Sequence, residues 1–464
     1  MLKNAKQSNS KTFVLRMKRE QQKRSFFGGL PPPKRVVLFF FALIILGAVL
    51  LSLPAAQNRP ISFFDALFTS VSAVCVTGLS TVSMADTFSL FGRVVILVLF
   101  QTGGLGIMAI STMVALMLGK RIMLQERIMI KESFNVDTME GIVRITRNLI
   151  LFALGLETLG ALVLTWRFLP YYGWLSALGQ GFFHSVSAFC NAGFNLFADG
   201  FSAVIMDPLT SITLMLLIIA GGLGVTVIAA LSRYLTRKAK HLSLHAKLVL
   251  TVSACLLVGG FLVAFLGEFN NPATFGGKSL GEKILSGAFF SVSARSAGFN
   301  MVDTYHLNSF TQFFLIFLMF VGASPGSTGS GIKTTTLGVL AAVAFCIFTG
   351  RSQVAVFGRS IGAETIYKAL AILLLAIFWL MAAVFLLLIT EKLPIGPVLF
   401  EVVAALSNAG ISEGITPGLS IAGKVIVMIT MFVGRLGTLL IGYVFANLIQ
   451  PKGIHYPEEK IIIG

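Results

Sequence analysis

The sequence predicts an all-α integral membrane protein built from four copies of one unit: a span, a re-entrant half-helix, a loop and a second span. Three observations carry that expectation. Of 464 residues only 12% are charged while 56% are apolar, and the mean hydropathy is +0.87. Soluble domains carry about 25% charge, so this chain lacks the polar residues to face water on all sides. The other two observations are the length of the apolar runs and a motif that recurs four times.

A hydrocarbon core about 30 Å thick needs roughly 20 helical residues. Eight segments are read as spans, at 36–53, 93–118, 146–169, 209–231, 246–266, 311–349, 367–390 and 424–449. The sixth is too long for one simple crossing and is interrupted by glycines. Shorter apolar stretches at 63–75, 177–190, 281–294 and 396–407 have the length of half-helices. Each follows an odd-numbered span and precedes an even-numbered one. The repeats therefore run 36–118, 119–231, 232–349 and 350–449. They lie between a basic tail, 1–35, expected to be disordered, and a C-terminal tail, 450–464.

The half-helices share residues as well as hydropathy. The copies read FTSVSAVCVTGLS from Phe68, FHSVSAFCNAGFN from Phe183, FFSVSARSAGFN from Phe289 and FEVVAALSNAGIS from Phe400. Each reaches a glycine: Gly78, Gly193, Gly298 and Gly410, at intervals of 115, 105 and 112 residues. The third copy is one residue shorter before its glycine. A fixed period of this kind is the signature of repeat architecture.

Charge then sets orientation. The net charge of +17 would suit a nucleic-acid binder if it formed one basic face. Instead, segments 1–35, 119–147, 232–247, 350–368 and 450–464 hold 26 of the 36 Lys and Arg and a net +18, leaving −1 for the rest. That alternation follows the positive-inside rule and places both termini in the cytoplasm. Nucleic acid is excluded as a partner; the bilayer is expected. The four cysteines, Cys75, Cys190, Cys255 and Cys346, form no CxxC pair, which argues against a disulfide framework or zinc site. The N-terminal stretch is too long and too charged for a cleavable signal peptide.

With this orientation all four half-helices enter and leave from the outer face. Non-helical backbone at membrane depth is tolerated where it is buried in protein or lines a water-filled path. Four such loops related by a pseudo-fourfold repeat can converge on a central pore, each helix pointing its partly negative C-terminus inward. Glycine lets carbonyls turn toward the axis, and carbonyl rings replace the hydration shell of a monovalent cation. For a single loop, a glycine C-cap is the favoured reading; four in register favour the pore. The expected filter is Val76, Thr77 and Gly78, with Asn191, Ala192 and Gly193, Ser296, Ala297 and Gly298, and Asn408, Ala409 and Gly410. Thr77, Asn191, Ser296 and Asn408 are expected to brace it, or to serve as ordinary turn residues.

This repeat, the segments SARSAGFN at 293–300 and CNAGFN at 190–195, and GASPGSTGSGIKTTT at 322–336 resemble the Trk/Ktr/HKT superfamily of potassium transporters. The eight-span plan without extra N-terminal spans resembles the bacterial Ktr branch. The resemblance covers about 36–449. It implies potassium as the transported ion, held at the filter carbonyls, with no covalently bound cofactor and with a sodium requirement open. It implies potassium selectivity at Gly78, where some sodium-transporting plant relatives carry serine. It further implies a homodimer in the bacterial cell membrane, sitting on a cytoplasmic ring of nucleotide-binding RCK proteins. The basic loops 232–247 and 350–368 are docking surfaces for that ring or only topology signals.

The interrupted sixth span contains Gly322, Pro325, Gly326, Gly329 and Gly331. It superficially matches a phosphate-binding loop, but Ile332 separates Gly331 from Lys333 and no strand precedes it. A broken helix at this depth must line a cavity. The loop is either a movable obstruction or a static kink; the resemblance implies the intramembrane gate beneath the filter. Arg435, inside the last span, costs about 2.5–3.5 kcal/mol at the bilayer centre on insertion scales, so it must face protein or the path. A positive barrier at the gate and a structural bond to buried carbonyls fit it equally. Lys333 belongs with it. Arg295 reads as a brace, and Glu157 as a buried group with a structural partner. Among the acids near the outer ends, Asp86, Asp199, Asp303 and Glu413, the last lies three residues past Gly410 and is the candidate for the outer mouth.

No HExxH, GxSxG, nucleotide-hydrolysing motif or paired acids in helical register occurs, so no enzyme activity is expected. Two alternatives stay open: a sodium or less selective monovalent-cation transporter of the same architecture, and the membrane subunit of an ATP-driven pump whose partner supplies the energy.

Overall fold

Residues 32–106, 142–197, 207–237, 239–300 and 302–448 are described by the structure, a computed structural model. Residues 1–31 of the expected N-terminal tail, the expected C-terminal tail and most of the connection 119–147 lie outside these residues; 32–35 begin the first helix. Within the expected first repeat are α1 (Pro32–Ser52), α2 (Phe63–Cys75) and α3 (Leu90–Leu105). The second holds α4 (Ile142–Phe168), α5 (Trp174–Cys190), α6 (Pro208–Leu223) and α7 (Val225–Leu235). The third holds α8 (Leu244–Glu268), α9 (Leu280–Ser293), α10 (Ser309–Phe320) and α11 (Thr334–Phe348). After a two-residue hairpin, β1 (Ala355–Val356) with β2 (Arg359–Ser360), come α12 (Ala363–Thr390), α13 (Ile395–Leu406) and α14 (Ile421–Leu448).

Local chemistry sets the ends of these helices. Ser62 caps α2 by accepting from Asp65 N, and Ser279 and Glu282 form a reciprocal capping box at the start of α9. Asp207 caps α6, with Pro208 following it in the first turn, where a missing N–H costs nothing. The hairpin turns on Phe357 and Gly358, both at positive φ, as a two-residue connection requires.

Among the described residues, the stretch Ile150–Phe168 of α4, α8 and α12 are long and apolar enough to cross a membrane. The fourth expected span is not one straight helix. It bends by 105° between α6 and α7, at Gly224, whose φ of +84° no helix contains. The sixth is likewise two helices, α10 and α11, joined by the glycine-rich stretch, as its composition predicts. The expected spans at 93–118 and 424–449 run into residues that are not described.

Among the described residues, the three largest apolar cores lie at junctions between the expected repeats. The largest gathers Phe68, Phe100, Leu387, Val402, Val427 and Met431, tying the fourth repeat to the first. The second joins Leu164, Phe189 and Leu217 to Phe289 and Phe299, and the third joins Phe290 and Leu315 to Phe400 and Val403. Large apolar side chains on α12, including Phe378, Met381 and Phe385, remain exposed, as a lipid-facing helix requires. The half-helices are held inside these cores, with their C-terminal ends in the interior.

Candidate functional site

The two serines of the recurring motif have separate tasks. The first docks three of the four half-helices, each on the preceding span. Ser70 donates to Ile44 O (2.7 Å), Ser185 to Glu157 O (2.6 Å) and Ser291 to Leu257 O (2.7 Å). Three residues beyond each of those carbonyls stands a glycine, Gly47, Gly160 or Gly260, where a Cβ would collide with the serine hydroxyl. The second serine braces the returning chain: Gly78 N donates to Ser72 Oγ (3.1 Å), and Ser187 donates to Phe194 O (2.8 Å). The fourth copy has no serine at either position. There the fully buried Glu401 accepts from Ser412 Oγ (2.7 Å) and from Thr416 Oγ1.

Each half-helix then ends in the same way. The residue two before the glycine takes the left-handed conformation: Val76 (φ +61°), Asn191 (+58°), Ser296 (+63°) and Asn408 (+49°). The glycine itself is also at positive φ, from +71° to +89°. Asn tolerates this region; a β-branched valine pays strain of about 1–3 kcal/mol. Backbone driven through two such residues leaves the helix axis and turns its carbonyls sideways.

The four glycines meet in a closed ring. A Cβ built on Gly78 would stand 2.6 Å from Ala192 O, one on Gly193 3.0 Å from Ala297 O, and one on Gly298 3.1 Å from Ala409 O. One on Gly410 would strike Thr77 O, which closes the circuit. Each glycine thus faces the carbonyl of the residue before the next loop's glycine. No side chain fits at any of the four. Val76, Thr77, Asn191, Ala192, Ser296, Ala297, Asn408 and Ala409 are all buried.

Three of the four polar neighbours join loops together. Asn408 Nδ2 donates to Cys75 O (2.7 Å), Ser296 Oγ to Ser407 O (3.1 Å), and Asn191 meets Thr328 Oγ1 at 3.3 Å. Thr77 differs, since its buried hydroxyl has no hydrogen-bond partner among the described residues.

Next to the ring, the stretch 322–336 doubles back on itself. Ala323 N donates to Ser330 O (3.0 Å), and Gly322 and Gly331 are in backbone contact, leaving no room for a Cβ on either. Gly326 and Gly331 are at positive φ. Pro325 O lies against Gly224, so the bend in the fourth span makes room for this loop. Gly329 packs between Asn191 and Ser296. Lys333 Nζ donates to Gly329 O (2.8 Å). Arg435 donates to Thr328 O (2.6 Å), Ser330 Oγ (3.1 Å), Gly104 O (3.4 Å) and Gly103 O. It therefore joins the loop to α3 through hydrogen bonds to carbonyls of both.

Glu157 finds its partner in Gln101, whose Nε2 donates to both carboxylate oxygens (3.0 and 2.9 Å). Arg295 Nη2 donates to Ser253 Oγ (3.2 Å) on α8. Glu413 is half-buried beyond Gly410, and burial raises its pKa. Asp199 lies outside the described residues.

One set of residues escaped the sequence reading. Gly103, Gly221 and Gly434, on α3, α6 and α14, press against the last carbonyls of the half-helices: Val74 O, Phe189 O and Leu406 O. A Cβ at any of them would overlap that oxygen. The pattern G-x-L-G at 103–106, 221–224 and 434–437 is the signal that could have found them, and Arg435 stands at its variable position.

Apolar helices packed around converging, glycine-lined backbone define a class: a multi-pass helical membrane transport protein. The chain belongs to the cation transport protein family TrkH, whose pattern residues 33–455 match. This is a family of transporters, not of enzymes. The chain is 39% identical to the Ktr system potassium uptake protein B of Bacillus subtilis, over 90% of this chain and 94% of that one. Identity to the protein of the same description from Vibrio alginolyticus is 38%, over 90% and 91%. The potassium/sodium uptake protein NtpJ of Enterococcus hirae is 34% identical over 90% and 94%. Among solved structures, the potassium transporter TrkH of Vibrio parahaemolyticus shares the fold, with a TM-score of 0.69 over 90% of this chain and 84% of that chain at 20% identity.

Proposed function

We propose that this chain is the ion-conducting subunit of a bacterial potassium uptake system. In this reading four span–pore-loop–span repeats, bounded as the hydropathy divides them, surround one path with both termini in the cytoplasm. The observation that carries it is the closed circuit of Gly78, Gly193, Gly298 and Gly410, each facing the next loop's carbonyl. Carbonyls crowded around one axis, at the negative ends of four half-helices, form a site for a dehydrated monovalent cation. The 322–336 loop with Lys333 and Arg435 is the gate below it, and Glu413 stands at the outer mouth. Two copies of the chain assemble on a cytoplasmic ring of nucleotide-binding RCK proteins, which moves the gate. The similarity to proteins described as potassium uptake proteins supports potassium as the ion, and the potassium/sodium relative keeps sodium dependence in view.

Rubidium and potassium uptake into vesicles containing the purified protein tests this, with and without sodium and an RCK protein. Gly78→Ser forces a side chain onto Ala192 O and is expected to lower the K+/Na+ uptake ratio. An unchanged ratio in that variant would remove Gly78 from the filter. Sodium uptake equal to potassium uptake in the unaltered protein would point to the less selective transporter.

A further inference from the structure

Thr328 sits at the tip of the gate loop with every polar atom committed. Its N–H donates to Gly221 O on α6 (3.1 Å), and its carbonyl accepts from Arg435 (2.6 Å) on α14. Its hydroxyl lies 3.1 Å from Phe189 O, at the end of the second half-helix, and 3.3 Å from the side chain of Asn191. The Asn191 amide is best oriented with its oxygen toward Thr328, because its nitrogen then donates to Ala188 O (3.1 Å) and Ile218 O (3.3 Å). In either orientation the two side chains touch. The site is dry and crowded: Thr328 is 6% exposed and Asn191 1%.

Asn191 is the left-handed residue that turns the second loop toward the axis, two residues before Gly193. Its backbone angle is one an unsupported chain rarely keeps. The hydroxyl that steadies it belongs to the gate, not to the filter's own repeat. Ser296 has no comparable bond, since its hydroxyl donates to Ser407 O instead. Any displacement of the loop that clears the path must separate Thr328 from Phe189 and Asn191, because α5 and α6 are packed into the second core.

We infer that the Thr328 hydroxyl is the joint through which the gate loop sets the shape of the second filter loop, making Thr328 a positioning residue for ion discrimination as well as part of the barrier. This rests on the filter-and-gate reading above. Coupling of two sites is reciprocal, so a change on the gate side must reach selectivity and a change on the filter side must reach gating.

Three variants in the full chain, assayed as vesicle uptake of potassium and sodium without regulatory stimulus, read this out. Thr328→Val keeps shape and removes the hydroxyl. It should raise unstimulated flux and lower the K+/Na+ ratio by about fivefold, the weight of one buried hydrogen bond. Thr328→Ser should recover the lost ratio. Ser330→Ala loosens the loop from Arg435 and, by the same coupling, should raise flux and lower the ratio together; raised flux with an unaltered ratio would overturn the inference. An unaltered ratio in Thr328→Val overturns the inference, whatever the flux does. Should Thr328→Val not reach the membrane, Asn191→Gly opens the joint from the other side while keeping the left-handed backbone; unstimulated flux equal to that of the unaltered protein then overturns it. Gly193→Ser separates the two readings. If it too leaves the ratio unchanged, the filter assignment has failed; if it lowers the ratio while Thr328→Val does not, only the coupling has failed.

Discussion

Gly103, Gly221 and Gly434 show how little room single residues have in this fold. Each lets a spanning helix lie directly on the carbonyl that ends a half-helix, an oxygen the helix itself leaves unsatisfied. Alanine at any of the three must push the two elements apart, at a cost of about 1–3 kcal/mol from overpacking. Gly155, on α4, has nothing within 4 Å of a built Cβ. Gly155→Ala should therefore hold or raise the thermal midpoint of the detergent-solubilised protein, while Gly103→Ala, Gly221→Ala and Gly434→Ala lower it; equal midpoints would show that the tight packing is unimportant. The four glycines of the ring were legible because they end a recurring motif. The G-x-L-G glycines were legible in principle too, but their neighbours are more than 25 residues away in sequence, and no local pattern says which oxygen they meet.

At the scale of the element, the motif S-V-S-A reads as a docking device. Its first serine binds a carbonyl of the preceding span and its second binds the returning loop, so one helical turn is held from both sides. Side-chain hydrogen bonds between helices in lipid contribute roughly 0.6–1.7 kcal/mol each. Ser70→Ala, Ser185→Ala and Ser291→Ala should each lower thermal stability by that order, measured by unfolding in detergent, and the three should add because they lie in different repeats. A loss confined to one of them would mean that the repeats are not mechanically equivalent. The fourth half-helix departs from the pattern, with Val402 and Ala404 in place of the serines, and Glu401 takes over the returning chain. Sequence comparison of the copies reveals the departure. It does not reveal the replacement, because Ser412 and Thr416 come from the following loop.

For the whole molecule the question is how a chain of repeats closes on itself. The largest core lies at the junction of the fourth repeat with the first, and Lys424 at the start of α14 pairs with Asp65 on α2 at 2.8 Å. Both side chains are largely covered, 15% and 18% exposed, so losing one partner strands the other. Lys424→Met should destabilise by about 1–3 kcal/mol after allowance for partial screening. The double change with Asp65→Asn should recover part of that loss. A double variant no better than the single would mean that the pair does not hold the closure. Asn408 reaching Cys75 O, 333 positions away, closes the same junction at the level of the glycine ring.

The sequence by itself determined the lipid environment, the fourfold recurrence and the residues that end each half-helix. These follow from composition, run length and a repeated motif, all of which are local or periodic. The tertiary structure alone decided which loop neighbours which, so that Gly78 faces Ala192 and Gly410 faces Thr77. It also bent the fourth span at Gly224, gave Arg435 its four acceptors on two elements, and set Thr328 against the end of the second half-helix. Those contacts depend on how helices from different repeats pack around one axis, and the spacing along the chain holds no record of that packing.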